Sequence, residues 1–163
     1  MKNMKILMVC LGNICRSPLA EGILKVHLSK IPGEFHIDSA GTGAWHVGSP
    51  PDPRSIAAAR KQGISISDQR ARQLKSSDFE EFDLIFTMDE SIHIDVKKLT
   101  SHPAYHAKIH LLRTYAGDTD SKVPDPYYES DEAFDNVYSL IDAACVKIAS
   151  AIQNEQRKTT GKH

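Results

Sequence analysis

Ile6-Leu7-Met8-Val9-Cys10-Leu11-Gly12-Asn13-Ile14-Cys15-Arg16-Ser17-Pro18 is the stretch on which the fold turns. Its first four residues are apolar with no polar alternation, the pattern of a strand covered on both faces, as in a parallel sheet. The run stops at Cys10, and the six residues that follow are too short and too marked by Gly12 and Asn13 for regular structure. Ser17-Pro18 then predicts a helix start, with Ser17 as N-cap and Pro18 at the first helical position, where its missing N–H costs nothing. Leu19, Ile23 and Val26, with Ala20, Leu24 and Leu28, recur at helical spacing until Pro32-Gly33 ends the helix. The opening is strand, loop, helix.

The rest of the chain repeats that alternation. Phe35 to Ala40 alternates apolar and polar and predicts a second strand with one wetter face. Gly41 to Pro53 carries three Gly and three Pro and predicts a long loop, of the kind that is usually functional in a compact domain. Asp52-Pro53 caps a helix that stops at Gly63. Leu84-Ile85-Phe86 predicts a third strand, Asp89 to Leu99 a helix, and Ile109 to Leu112 a fourth strand. Phe134, Val137, Tyr138, Ile141, Cys145, Ile148 and Ile152 mark one face of a long final helix. Residues 1–153 read as a single domain and 154–163 as a polar tail expected to be disordered. Alternating strands and helices indicate an α/β fold with a mostly parallel sheet, whose site lies at the carboxyl ends of the strands. The loops after Val9, Ala40 and Leu112 are the places to look.

Composition narrows the function. The 163 residues, 40% hydrophobic and 25% charged, suit one globular domain able to bury its own core. A formal net charge of −1 leaves no global positive field for a nucleic-acid or anionic membrane surface. Three cysteines cannot all pair with one another, which argues for a reducing compartment. Five apolar residues after a lysine-flanked start fall short of the ~7–15 of a signal peptide and the ~20 of a membrane span. The expectation is a cytoplasmic protein.

Cys10 and Arg16, separated by five residues, carry the chemistry. A short loop entering a helix presents backbone N–H groups and the positive end of the helix, which together cradle an anion. Arg16 adds a planar donor matched to two phosphate oxygens. Cys10, at the base of that cradle, lies where positive potential favours a thiolate, and Ser17 can donate to its sulfur. A thiolate beneath a bound phosphate is a nucleophile aimed at phosphorus. The plainer reading of Cys10 is a small core residue at a strand end. Attack on phosphorus also needs an acid for the departing oxygen. Asp125 qualifies: Pro124 and Pro126 stiffen it on both sides, and Tyr127-Tyr128 follow, suited to an aromatic ring at a cleft mouth. The plainer reading there is an ordinary Asp-Pro turn.

With these residues in view, the chain resembles the low-molecular-weight protein tyrosine phosphatases. The resemblance rests on Val9 to Pro18 and Asp125-Pro126-Tyr127-Tyr128, supported by Asp38-Ser39-Ala40-Gly41, Ala71-Arg72-Gln73 and Met88-Asp89-Glu90. It runs from Lys5 to about Ile152. It implies a four-stranded parallel sheet flanked by helices on both faces, and metal-independent, cofactor-free hydrolysis of phosphotyrosine proteins and aryl phosphates through a phosphocysteine. In that scheme Cys10 is the nucleophile and Asp125 the acid and then the base. Arg16 and the loop Leu11, Gly12, Asn13, Ile14 and Cys15 hold phosphate, and Ser17 supports the thiol. The resemblance also implies that Ser39 holds Asn13 in a strained conformation, and that Trp45 faces Tyr127 and Tyr128 across the substrate cleft. Cys15 becomes a redox partner able to form a reversible disulfide with Cys10. Gln69 stands where the family often has a histidine supporting the loop, so its influence on Cys10 is open. Cys145, on the apolar face of the last helix, is expected in the core.

Other signals point elsewhere. His102, His106 and His110 are spaced by four, but Pro103 interrupts a common helix and no metal site is expected. Arg70 and Arg72, like Lys97-Lys98, are expected on solvated faces. Arsenate reductases of this fold need further cysteines in a mobile segment, whereas this chain has only Cys145, inside a helix. Protein-arginine phosphatases of this fold carry threonine where Ile14 stands. A non-catalytic phosphotyrosine-binding module would need the cradle but not Asp125.

Overall fold

A computed structural model describes residues 3–160. Its elements run β1 (Asn3–Cys10), α1 (Arg16–Leu28), β2 (Glu34–Gly41), α2 (Pro53–Lys61), α3 (Asp78–Glu81), β3 (Leu84–Thr87), α4 (Glu90–Lys98), α5 (Pro103–His106), β4 (Ile109–Leu111), α6 (Leu112–Tyr115) and α7 (Asp131–Thr160). The strands form one sheet in the order β2-β1-β3-β4, every pairing parallel. β1 is central, and its register sets Cys10 opposite Gly41 of β2 and Val9 opposite Thr87 of β3.

The apolar run of β1 is continuous because both of its faces are covered. Ile6 and Met8 pack with Leu19 and Ile23 of α1 and Ile141 and Ile148 of α7. Leu7 and Val9 point the other way, into a second core with Phe79, Ile85, Ile92 and Val96. Two helical layers therefore sandwich the sheet, and the last residue of β1 delivers Cys10 to its carboxyl edge.

Local chemistry starts the helices. Asp52 caps α2 by accepting from the Arg54 N–H, with Pro53 beside it, and Asp89 caps α4 by accepting from the Ile92 N–H. The start of α1 differs from the reading of Ser17 as a cap: the helix begins at Arg16, its N-cap is Cys15, and no side chain caps it. The Ser17 hydroxyl is engaged with Cys10 and Asn13 instead. The fourth strand is one residue shorter than expected, because Leu112 turns into the core as the first residue of α6.

The tail also differs. Residues 154–160 continue α7 as helix, since no helix breaker occurs before Gly161 and Gln156 donates to the Pro32 carbonyl at 3.0 Å. Residues 161–163 of the expected tail lie outside the described residues.

Arg72 is not on a solvated face either. Its guanidinium bridges Asp38 at 3.0 Å and the fully buried Asp78 at 3.0 Å, because a carboxylate without solvent needs a cation. Burial opposes the Arg72 charge, but the two carboxylates outweigh it and push its pKa further up. The histidines set aside earlier do separate work: His102 caps α5, and the His106 ring meets the carbonyls of Lys97 and Thr100. Among the described residues no helix is long and apolar enough to cross a membrane.

Candidate active site

The loop between β1 and α1 is held in shape from several directions. Its carbonyls at Cys10, Leu11 and Ile14 accept from the N–H groups of Thr42, Gly43 and Asp52 at 3.0, 2.9 and 2.8 Å. Asn13 adopts φ +58°, the left-handed region that Asn tolerates better than most residues. Two bonds keep it there: its Nδ2 donates to the Ser17 Oγ at 2.8 Å, and its Oδ1 accepts from the Arg72 N–H at 3.0 Å. Gly41 is required by close approach, since a Cβ there would stand 2.8 Å from the Leu11 carbonyl oxygen.

Ser39 does not hold Asn13. Its hydroxyl donates at 2.8 Å to Glu21, a buried carboxylate that also takes Lys25 Nζ at 2.7 Å and needs every donor within reach. Ser39 thus braces α1 against β2, and Ser17 and Arg72 take the role expected of it. Gln69 reaches the loop only through α1: its Nε2 donates to the Pro18 carbonyl at 3.0 Å, and its buried Oε1 has no partner.

Within the loop, Cys10 Sγ lies 2.9 Å from Ser17 Oγ. Arg16 is buried, and its Nη1 donates to Asp89 Oδ2 at 2.6 Å and to the Val123 carbonyl at 3.0 Å. Its Nη2 lies 3.9 Å from Asp125 Oδ2, so the Asp125 carboxylate faces the same opening as the guanidinium. Asp125 Oδ1 accepts from the Tyr127 N–H at 3.1 Å.

These groups line one open cavity of about 320 Å³. Cys10 and Arg16 contribute to it from the loop, Trp45 and His46 from the segment after β2, and Asp125, Tyr127 and Tyr128 from the segment before α7. Trp45 and Tyr128 are strongly exposed, at 71% and 92%, so the walls are aromatic rings standing in solvent. Trp45 can lie flat because Gly43 has no Cβ; one would come within 1.9 Å of the indole. His46 packs beside Gly12 and tilts toward Tyr127, ring centres 6.5 Å apart.

Cys15 lines the same cavity, and burial first, then the negative charge of Asp52, pushes its thiol up to about 12. Cys145 is fully buried in the core, and burial drives its thiol up as well.

Placed on the sheet, this is a thiol at the floor of an anion cradle, with a buried guanidinium behind it and a carboxylate at its mouth. The family model for low molecular weight phosphotyrosine protein phosphatase matches residues 5–158. The chain belongs to that family. The phosphatase of this name from Schizosaccharomyces pombe is 44% identical over 146 residues, covering 86% of this chain and 92% of that one. Low molecular weight protein-tyrosine-phosphatase YfkJ from Bacillus subtilis is 38% identical over 157 residues, covering 93% and 97%. The crystal structure of YfkJ superposes with a TM-score of 0.87 at 37% identity, over 95% of this chain and 98% of that one. A protein tyrosine phosphatase from Entamoeba histolytica, solved with Hepes in its active site, superposes at 0.86 with 32% identity, over 94% and 99%. The sheet of four parallel strands with its helices is the family's fold.

Sequence reasoning missed Asp89, His46 and Arg72 as parts of this phosphatase site. Asp89 had a usable signal: it lies two residues after β3, a strand adjacent to β1, and the carboxyl-end rule applies to that loop as to the others. Arg72 stands in the quoted Ala71-Arg72-Gln73 segment, but its bond to Asn13 spans 59 residues and shows only in the fold.

The loop geometry separates two contributions of Asn13. Asn13→Gly keeps the left-handed backbone accessible and loses both bonds, whereas Asn13→Ala loses the bonds and strains the backbone by a further ~1 kcal/mol. Orthovanadate titration should show weaker binding for both variants, with alanine worse than glycine by ~5-fold at that strain. Equal affinities would mean the φ of Asn13 does not shape the cradle.

Proposed function

We propose that this phosphatase cleaves phosphotyrosine in proteins in two steps, with Cys10 as nucleophile and Asp125 as acid and base. The observation that carries the reading is the convergence of Cys10, Arg16 and Asp125 on one cavity, with Arg16 Nη2 and the Asp125 carboxylate 3.9 Å apart. In the first step the Cys10 thiolate forms an S–P bond while the P–O bond to the phenol breaks, and Asp125 gives its proton to the departing oxygen. In the second, a water attacks phosphorus and passes a proton to Asp125, and the Cys10 sulfur leaves as thiolate. The Ser17 hydroxyl, 2.9 Å from Sγ, stabilises that leaving sulfur. Arg16 and the amides of residues 11–16 hold the equatorial oxygens through both steps.

The family's substrates are phosphotyrosine proteins, and the walls explain the preference for a phenyl ring. Trp45, Tyr127 and Tyr128 flank the opening, and Ile14 adds apolar contact at the loop. No metal or cofactor enters this scheme, because the phosphate charge is met by Arg16 and backbone N–H groups.

Cys15 supports a redox reading of the same site. Peroxide would oxidise the Cys10 thiolate to the sulfenic acid, and the Cys15 thiol would displace water to close a disulfide. The three cysteines are unpaired in the fold, which supports work in a reducing compartment such as the cytoplasm.

Cys10→Ser should cut turnover of aryl phosphates by ~10⁴-fold or more while orthovanadate still binds. Surviving turnover would remove Cys10 as nucleophile. Asp125→Ala should slow phenyl phosphate by ~10²-fold or more and p-nitrophenyl phosphate far less, because an activated phenolate leaves without a proton. Equal slowing would remove Asp125 as the acid. After brief peroxide treatment, peptide mapping should find Cys10 joined to Cys15, with activity restored by thiol. Cys10 found as sulfonic acid with Cys15 untouched would contradict the redox reading.

A further inference from the structure

Asp125 sits on a segment that needs anchoring on both sides. Upstream, Val123 is buried and doubly tied: its carbonyl accepts from Arg16 and its N–H donates to the Met88 carbonyl at 2.8 Å. Downstream, Tyr127 and Tyr128 are exposed rings packed on each other, centres 4.9 Å apart, and they offer no comparable burial. What fixes this side is Arg54 of α2. Its Nη2 donates to the Tyr127 carbonyl at 2.9 Å and its Nη1 to the Glu129 carbonyl at 3.2 Å. Its guanidinium carbon also stands 4.3 Å from the centre of the Phe134 ring, which is wholly buried at the start of α7.

The same guanidinium is clamped at its other edge. Nε and Nη2 donate to the two oxygens of Asp52 at 3.1 and 3.0 Å, a bidentate pair. Burial works against the Asp52 charge, yet the Arg54 bonds outweigh it and hold the carboxyl below its ordinary range. The Asp52 N–H donates to the Ile14 carbonyl at 2.8 Å, inside the phosphate loop. The chain of contacts runs unbroken from Ile14 to Asp52, to Arg54, to the Tyr127 carbonyl, and from the Tyr127 N–H back to the Asp125 carboxylate. Lysine could not replace Arg54 here, since a single ammonium lacks the planar fork that meets a carboxylate on one edge and two carbonyls on the other.

We infer that Arg54 is a positioning residue for the acid: it is the strut that fixes the Asp125 segment against the phosphate loop. It touches none of the reacting atoms. Its effect is confined to where the Asp125 proton is held relative to the leaving oxygen, a placement in which small displacements are expensive.

This inference rests on Asp125 being the acid, so the test pairs the two residues. kcat/KM would be measured for Arg54→Ala, Arg54→Lys, Asp125→Ala and the Arg54→Ala/Asp125→Ala double variant, on phenyl phosphate and p-nitrophenyl phosphate. Arg54→Ala should lose ~10-fold or more on phenyl phosphate and only ~2-fold on p-nitrophenyl phosphate, with orthovanadate affinity within ~2-fold of the parent. Arg54→Lys should show a smaller loss with the same split between leaving groups, and it carries the test if the alanine variant folds poorly. The double variant should be no slower than Asp125→Ala by more than ~2-fold, because a strut has nothing left to position. Equal losses on both substrates, no loss on either, or additive losses in the double variant would overturn the inference. If Asp125→Ala itself showed no split between substrates, the acid assignment would fall and the strut with it. A split for Asp125→Ala with none for either Arg54 variant would overturn the role of Arg54 alone.

Discussion

A guanidinium taken out of water must be met by a carboxylate, and the pairing of Arg16 with Asp89 at 2.6 Å is the contact around which this site is arranged. Arg16 opens α1, Asp89 caps α4, and the two helices lie on opposite faces of the sheet. One ion pair therefore locks both layers at the carboxyl edge of β1 and β3. The second Arg16 contact, to the Val123 carbonyl, brings in the segment that carries Asp125. The residue that would hold phosphate thus also determines where the acid begins its approach.

The positive potential of the site is local. The chain as a whole is nearly neutral, with a formal charge of −1, and Arg16, Arg54 and Arg72 each face carboxylates. These pairs fix geometry; they leave anion binding to the loop, the uncapped first turn of α1 and the remaining face of Arg16. Carboxylate partners also keep the three guanidinium planes oriented, which a freely solvated arginine would not be. Electrostatics here serves placement first.

Much of this was legible in the residues and some was not. β1 and β3 could be read because burial on both faces removes polar alternation, β2 because its wetter face keeps that alternation, and Asp52-Pro53 and Asp89 could be read as helix starts because capping is a local act. Cys10, Arg16 and Asp125 stood out for their flanking chemistry, and the fold sets them around one cavity. Ser17 was misread because a serine before a proline is the usual cap pattern, while its hydroxyl is drawn to Cys10 and Asn13. Ser39 and Arg72 depart from their expected roles for a different reason: buried Glu21 and Asp78 demand partners, and neither demand is visible until the chain is folded. The tail was judged by its polarity, which says nothing about a helix that continues without a breaker to Thr160.

In this mechanism phosphate passes through the Cys10 sulfur. Rapid acid quench during turnover of an aryl phosphate, followed by peptide mapping, tests it directly. A phosphoryl group should appear on the peptide bearing Cys10, formed in step with the first release of phenol and lost as inorganic phosphate appears. Turnover with no protein-bound phosphate at any time, or phosphate carried on another residue such as His46, would contradict it.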